Sequence, residues 1–298
     1  MVTVNLKTKS PKTKINDLPA SLEVETSKSV DDLSASISKA IKLGPERLRL
    51  TLIDNTLLVA GSPLEKYDLQ ENSIIYVKDL GRQISWRTVF FIEYVGPLLI
   101  HPIFFFLQKP IYGKSFEHTT EQELVYVLVM LHFIKRELET AFVHKFSNGT
   151  MPIFNIFKNS GHYWILSGFN LAYWVYSPGA KPYYSDTALK ILIAAWIFTQ
   201  VSNLITHLNL ASLRPAGSKV RAIPYGYGFS LVSVPNYFFE TLSWLIVTIV
   251  SRSVSSLIFL VVGTTTMYIW AIKKHKRYRK EFPKDYPKNR KAMFPFIA

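Results

Sequence analysis

Six side chains that can donate, accept or carry charge lie within one largely apolar stretch, residues 200 to 244. They are Asn203, His207, Arg214, Asn236, Tyr237 and Glu240. The first three share one face of a single predicted helix, because they are separated by four and then seven positions. A charged group costs about 2.5 to 3.5 kcal/mol near the centre of a membrane helix, so buried polar groups usually serve a function. A single such residue could simply bond a neighbouring helix, but six together predict a functional cavity.

The composition predicts the membrane helices that must position these groups. The chain has 298 residues, of which 48% are hydrophobic and 14% aromatic. A helix needs about 20 apolar residues to cross a bilayer. Six runs are long enough, and a seventh is possible because Pro235 could break the fifth one. The runs cover residues 88 to 108, 121 to 145, 160 to 178, 187 to 211, 229 to 250 and 253 to 272. We therefore expect an α-helical polytopic membrane protein with six or seven transmembrane helices.

The charge distribution predicts the orientation of those helices. The net charge is +14, but the Lys and Arg residues flank apolar runs, which favours membrane orientation over nucleic-acid binding. One set of loops and the tail carry most of these residues, and the opposite loops carry few. The positive-inside rule then predicts that both termini are cytosolic, so the acceptor sequence at Asn148 should remain unglycosylated. The chain contains no cysteine and no HExxH-type spacing, and we predict no metal site.

Residues 1 to 80 have a different pattern and predict a separate, soluble and cytosolic α+β domain. Alternating apolar residues indicate two strands, a helix from Val30 to Ile41, and two or three more strands. Ser29 and Asp32 form a predicted capping box at the start of that helix, and Gly44 follows its end. This order of elements resembles the ubiquitin-like β-grasp fold. Residues 81 to 298 would then form the transmembrane domain with its basic cytosolic tail.

Two further groups of polar residues lie in the first and second predicted spans. Glu93 is followed by Gly96 and Pro97, and a carboxylate at that depth is expected to be protonated or paired. The second span contains His132, Arg136 and Glu139, which we consider as possible cavity-lining residues. Lys135 can pair with Glu139 four positions later. The positions of Lys135 and His144 can also be explained by contact with cytosolic headgroups.

A nucleotide-binding loop is absent from the sequence. No GxGxxG follows a predicted strand and no GxxxxGK[ST] occurs, so any nucleotide would have to bind among the helices. Arg and Lys residues at helix ends could hold its phosphates through charge-assisted hydrogen bonds. Such residues occur at Arg214, Lys219 and Arg221 and in the C-terminal tail.

Several longer motifs resemble one known family. They are Asn203…His207…LRPAGSK…IP, PNYFFE, KFSNGTMP, the junction at residues 79 to 86 and the tail HKRYRKEFPKDYPKNRKAMFPFIA. This combination resembles the steroid 5α-reductase superfamily, and within it the very-long-chain trans-2-enoyl-CoA reductases of the endoplasmic reticulum. The resemblance covers nearly the whole chain. Two departures from the motifs of steroid reductases argue against a steroid substrate. Phe133 and His207 stand where those enzymes carry Tyr and Asp.

The resemblance implies reduction of a trans-2-enoyl-CoA by NADPH, the last step of fatty-acid elongation. Hydride would add to the β carbon, and Tyr237 would give a proton to the α carbon. Glu93 would hydrogen-bond the substrate. The predicted cofactor-binding residues are Asn203, His207, Arg214, Arg221, Asn236, Glu240, His275 and Tyr278. His132, Arg136 and Glu139 are predicted to line the substrate cavity. The expected partners are acyl-CoA, the lipid bilayer and other elongation enzymes, with no nucleic acid.

Three other functions fit the same residues. A sterol or polyprenol reductase of the superfamily would use the same cofactor with another acceptor. An isoprenylcysteine or phospholipid methyltransferase would depend on S-adenosylmethionine. A membrane adaptor that displays the ubiquitin-like domain would need none of the buried polar residues for catalysis, so Tyr237→Phe would have no effect on it.

Overall fold

The computed structural model of the chain describes residues 1–9, 15–145, 149–213 and 222–297. Arg214, Lys219 and Arg221, which were predicted from the sequence to bind phosphate, lie outside these residues, as does Asn148. The chain divides into two compact units. The first is Met1–Trp86 together with Asn148–Asn155, and the second is Arg87–Ser147 together with Ile156–Ala298.

The first unit is a mixed four-stranded sheet with one long helix. Its elements are β1 (Val2–Lys7), β2 (Ser21–Val24), α1 (Val30–Ile41), β3 (Leu48–Leu52) and β4 (Ser73–Asp79). The strand order is β2-β1-β4-β3, with β1 and β4 parallel in the centre and antiparallel strands at both edges. Apolar residues that alternate along β1 and β4 meet the apolar stripe of α1 in one core. Residues 57 to 59 contribute only an isolated bridge between Leu57 and Thr51.

The ends of α1 confirm the local signals in the sequence. The Ser29 hydroxyl accepts from the Asp32 backbone N–H, and the Asp32 carboxylate accepts from the Ser29 N–H, which makes a complete capping box. The helix ends where Lys42 adopts a left-handed conformation. A second, small sheet pairs β5 (Gln83–Ser85) with β6 (Thr150–Pro152), which explains why residues near 150 belong to the first unit.

Helices make up the second unit. They are α2 (Trp86–Phe106), α3 (Gln108–Tyr112), α4 (Thr120–Phe142), α5 (Asn155–Gly161), α6 (Leu171–Val175), α7 (Asp186–Ser212), α8 (Pro235–Ser251) and α9 (Val254–Glu281). A π-helical segment, His162–Asn170, joins α5 to α6. Within the described residues, α2, α7 and α9 are long and apolar enough to cross a membrane, which indicates a membrane protein. The fifth apolar run becomes helical only at Pro235, which lies in the first turn, where an N–H would have no partner within the helix.

Helix α2 contains two prolines, Pro97 and Pro102, and the first of them lies next to a close helix contact. Pro97 has no N–H, so the carbonyl of Glu93 loses its partner within the helix. Close by, the indole Nε1 of Trp164 donates to the Ile92 carbonyl at 2.7 Å. A Cβ atom on Gly96 would lie 2.1 Å from that nitrogen, so glycine is needed for this close approach. The π-helical segment is thereby fastened to α2 beside Glu93.

Candidate active site

Three helices contribute polar side chains to one buried cluster, which we call the histidine network. It consists of His132, Lys135, Arg136 and Glu139 from α4, Gln200, Asn203 and His207 from α7, and Asn236 and Glu240 from α8. Within each helix these residues recur at intervals of three or four, so they lie on the inward face. Helix α8 packs directly against α7 and α4, which brings the three faces together.

The two histidines of the network have matching environments. Gln200 Nε2 lies 3.1 Å from His132 Nδ1, and His132 Nε2 lies 3.2 Å from Glu240 Oε1. Because the amide nitrogen can only donate, Nδ1 accepts and Nε2 carries the proton that is donated to Glu240. The contacts therefore fix one tautomer of His132.

His207 repeats the arrangement with its nitrogens exchanged. Asn236 Nδ2 lies 3.4 Å from His207 Nε2, and His207 Nδ1 lies 3.1 Å from Glu139 Oε1. Here Nε2 accepts from the amide, while Nδ1 faces both the Glu139 carboxylate and, at 3.4 Å, Arg136 Nη1, which can only donate. Each imidazole thus connects an amide to a carboxylate.

Ion pairs complete the network around Glu139. Its carboxylate lies 2.8 Å from Lys135 Nζ and 2.7 Å from Arg136 Nη1. Lys135 also donates to Asn203 Oδ1 at 2.7 Å, so it faces the interior and not the headgroups. The pairing of Lys135 with Glu139 four positions later agrees with the prediction from spacing.

Asn203 links α7 to α8 at the centre of the network. Its Nδ2 donates to the backbone carbonyl of Asn236 at 2.9 Å and lies 3.3 Å from Glu240 Oε2. The residues predicted to line the substrate cavity therefore contact those predicted to bind the cofactor. His132 meets Glu240, and Glu139 meets His207.

A metal ion has a possible ligand set here, but the surrounding charge opposes it. Donor atoms of Glu139, His144 and His207 all lie within 4.8 Å of one another. Lys135 and Arg136 already occupy the Glu139 carboxylate, and their positive charges would repel a cation. The absence of a metal site remains a prediction from the sequence.

Two side-chain amide oxygens of the network have no hydrogen-bond partner among the described residues. They are the side-chain oxygens of Gln200 and Asn236, and both are buried. An unpaired buried acceptor costs about 1 to 3 kcal/mol, so each favours a ligand that donates a hydrogen bond. The carboxamide group of a nicotinamide carries such N–H donors, and the residues present therefore fit this group.

The two predicted catalytic residues lie on other faces of their helices. Tyr237 packs against Val234, Ala271 and Met293, and Lys274 Nζ lies 4.9 Å from the centre of its ring. Tyr237 therefore faces α9, whereas its neighbour Asn236 faces α7. Glu93 is only 2% exposed, and one of its oxygens has no partner within the described part of the chain. The Asn159 side chain lies within reach of this carboxyl group. Within the described residues, Tyr237 and Glu93 are not joined by a hydrogen bond, an ion pair or a ring contact.

A second polar cluster, the tail cluster, lies at the start of α8 and along α9. It consists of Ser233, His275, Tyr278, Tyr286 and Arg290. Ser233 Oγ donates to the Lys291 carbonyl at 3.0 Å and accepts from Tyr286 at 2.5 Å and from His275 Nδ1 at 2.6 Å. The rings of Tyr278 and Tyr286 stack at 5.5 Å. Two predicted cofactor residues, His275 and Tyr278, therefore lie in one cluster with Ser233, which is three residues before Asn236 in the chain.

The tail cluster contains a buried cation. Arg290 is 3% exposed, donates to the Pro224 carbonyl at 3.0 Å, and lies over the rings of Tyr225 and Tyr286. Its Nε has no partner, and no carboxylate of the described residues forms an ion pair with it. A phosphate group is the kind of ligand that such a guanidinium binds.

Comparison with known proteins identifies the family. The model of the 3-oxo-5-alpha-steroid 4-dehydrogenase family matches residues 149–298. A Schizosaccharomyces pombe protein described as an enoyl reductase is 52% identical over 95% of this chain and 96% of its own. The very-long-chain enoyl-CoA reductase of Dictyostelium discoideum is 42% identical over 93% of this chain and 94% of its own. A Caenorhabditis elegans protein described as a very-long-chain enoyl-CoA reductase is 38% identical over 93% of this chain and 98% of its own. The chain belongs to the very-long-chain enoyl-CoA reductases of the steroid 5α-reductase superfamily.

Several residues of the two clusters were not predicted from the sequence to belong to a functional site. Gln200 and Lys135 belong to the histidine network, and Ser233, Tyr286 and Arg290 belong to the tail cluster. Gln200 could have been found, because it lies three positions before Asn203 and seven before His207 on the same helix face. The tail residues carry no local signal, since they enter the cluster only when the chain folds back. Lys291 and Ala292 do so by pairing with residues 231 to 234.

Proposed function

We propose that this enzyme reduces trans-2-enoyl-CoA to the saturated acyl-CoA with NADPH, as the last step of fatty-acid elongation. The family supports the reaction class, since relatives over nearly the full length are described as enoyl-CoA reductases. The proposal rests on two buried polar clusters that could bind different parts of one cofactor. The histidine network offers buried amide acceptors for a nicotinamide carboxamide. The tail cluster offers Arg290, a buried cation without a carboxylate partner among the described residues.

In this mechanism, different residues of the chain bind the cofactor and donate the proton. When bound, NADPH supplies a hydride to the β carbon of the enoyl thioester. The network holds the carboxamide through Asn236 and Gln200, and the tail cluster holds phosphate through Arg290, with His275 and Tyr278 beside it. Arg214 and Arg221, which lie outside the described residues, are proposed to add further phosphate contacts. Tyr237 donates its phenol proton to the α carbon.

The direct test is an assay of the purified protein with NADPH and a trans-2-enoyl-CoA. Oxidation of NADPH should require the enoyl-CoA, and a sterol or polyprenol acceptor should not replace it. NADH should support less turnover, because the 2′-phosphate adds charge-assisted contacts. Turnover with a sterol alone would favour the alternative reductase, and the absence of turnover with any acceptor would contradict the reductase proposal.

Tyr237→Phe tests the assignment of the proton donor. A positioned general acid contributes roughly 10² to 10⁴ in rate, so kcat should fall by that range while the KM for NADPH changes little. Removing one hydroxyl keeps the packing of the ring against α9, so the variant should fold. Tyr268→Phe is a matched control, because Tyr268 packs in the same apolar cluster. Turnover of Tyr237→Phe within a few-fold of the parent would exclude Tyr237 as the donor.

We further propose the location and topology that the sequence predicts. The enzyme would lie in the endoplasmic reticulum membrane with six or seven spans and both termini cytosolic. Its first unit would be a ubiquitin-like domain, for which the parallel central pair β1 and β4 and the packed helix α1 are supporting features. The other elongation enzymes would be its partners. Glycosylation of Asn148 in microsomes would contradict this topology.

A further inference from the structure

Tyr94 lies next to Glu93 on α2 and is among the most buried large side chains of the chain. Its exposed fraction is 1%, and its ring contacts Phe90, Phe133 and Tyr163. Apolar and aromatic contacts of this kind would suit a phenylalanine equally well. The hydroxyl therefore requires a separate explanation.

Arg136 provides half of that explanation. Its Nη2 donates to the Tyr94 hydroxyl oxygen at 2.8 Å, while its Nη1 donates to Glu139 at 2.7 Å. A guanidinium has no acceptor, so the phenol oxygen must accept and the phenol proton points elsewhere. No hydrogen bond among the described residues takes up that proton. A buried donor is thus available beside a fixed positive charge.

The same place holds two more groups that can bind an acceptor. One oxygen of Glu93 is buried without a partner in the described chain, and this carboxyl group donates when it is protonated. Tyr163 meets Tyr94 edge to face with ring centres 5.2 Å apart, and it lies within electrostatic reach of both Glu93 and Arg136. Donors of this kind, in a dry environment, select a ligand atom that carries or develops negative charge.

The proposed reaction produces one such atom. Hydride addition to the β carbon moves negative charge onto the thioester carbonyl oxygen, and stabilising that oxygen lowers the barrier. We propose that Tyr94 is a catalytic residue that hydrogen-bonds the thioester carbonyl oxygen, with Arg136 holding and polarising its hydroxyl. This assignment rests on the proposed enoyl-CoA reduction.

The two tyrosines then act on different atoms of the substrate. Tyr94 keeps its proton and only donates a hydrogen bond to the oxygen, so no bond to hydrogen is broken there. Tyr237 transfers its proton to the α carbon, where the new C–H bond completes the reduction. Arg136 serves as a positioning residue, because it touches Tyr94 and not the substrate.

Tyr94→Phe tests the proposal, with Tyr176→Phe as a matched control. Tyr176 is also fully buried, and its hydroxyl bonds His101 at 2.7 Å, outside the histidine network. Each variant loses one buried hydroxyl and keeps its ring. Loss of one oxyanion donor lowers kcat about 10² to 10³, so Tyr94→Phe should show that loss with the KM for NADPH changed less than about two-fold. Tyr176→Phe should retain activity within a few-fold.

An isotope effect gives an independent readout. With NADPH deuterated at the transferred position, Tyr94→Phe should show a larger effect on kcat than the parent, because its hydride step has become slower than product release. The proposal is overturned if folded Tyr94→Phe has nearly normal turnover, or if Tyr176→Phe loses as much. Inactivity of the parent protein with enoyl-CoA would instead count against the proposed function itself.

A second variant keeps the test possible if Tyr94→Phe does not fold. Incorporation of 3-fluorotyrosine at position 94 retains the hydroxyl and nearly the volume, but changes its strength as a donor. This replacement should change kcat more than the same replacement at position 176. Equal values at the two positions would contradict a role of Tyr94 in catalysis.

Discussion

The histidine network and the tail cluster are both buried and polar, yet their charges are arranged differently. The network holds two cations, Lys135 and Arg136, which pair with Glu139, and a second carboxylate, Glu240, which contacts His132. The tail cluster holds Arg290 over two tyrosine rings, without an ion pair to any described carboxylate. The charges within the histidine network compensate each other, so this cluster can accept neutral ligand groups. The positive charge of Arg290 in the tail cluster is not compensated in this way, so binding of an anion would stabilise this cluster most.

This difference indicates which cluster stabilises the fold and which is reserved for a ligand. Removing one partner of a buried ion pair leaves an uncompensated charge. A cation that is already without a carboxylate has no such partner to lose, and its charge is compensated only when a ligand binds. The following predictions measure the contrast, beginning with the largest expected effect.

Arg136→Ala should destabilise the protein most, by about 3 to 5 kcal/mol, because Glu139 loses a partner and Tyr94 loses its donor. Thermal unfolding in detergent measures the loss. Lys28→Ala is a control for an exposed pair, since Lys28 and Glu25 meet at the surface of the first unit and such pairs contribute about 0 to 1 kcal/mol. If both variants unfold alike, the network is not an important source of stability.

Arg290→Ala should cost less, about 1.5 to 3 kcal/mol, which is the range for a hydrogen bond from a charged group. Added NADPH should stabilise the parent more than the variant, because the anion loses its guanidinium. Arg290→Lys keeps the charge but loses the planar donor geometry, so it should restore only part of that stabilisation. Equal stabilisation of all three proteins by NADPH would remove Arg290 from the cofactor site.

Asp79→Asn should have the smallest effect on stability, because the ion pair between Asp79 and Arg47 in the first unit is partly exposed. Arg47 bonds the Asp79 carboxylate at 2.5 Å and holds its pKa below the usual value. A carboxylate with a lowered pKa stabilises the fold above its unfolded pKa of about 3.9, and the contribution is lost as the pH falls through the folded value. Amide hydrogen exchange in β3 and β4 of the full chain should show this acid loss in the parent and not in the variant. The same pH profile in both would contradict the assignment.

Features that depend on neighbours along the chain could be predicted from the sequence. The capping box at Ser29 and Asp32 formed as expected, because its contacts span only three residues. The polar faces of α4 and α7 were also correct, since helical spacing alone puts His132 with Arg136 and Asn203 with His207. The start of α8 at Pro235 was considered in the sequence only as a break, although proline commonly opens a helix.

Features that depend on how helices face each other needed the tertiary structure. Nothing local says that Gln200 meets His132, that Arg136 meets Tyr94, or that Arg290 returns to Pro224. These contacts join residues that are 42 to 68 positions apart. They are set by the rotation and depth of each helix, which depend on packing of the whole core. The sequence therefore determined which residues share a helix face, and the tertiary structure decided which faces meet, and so which tautomers and donors the site presents.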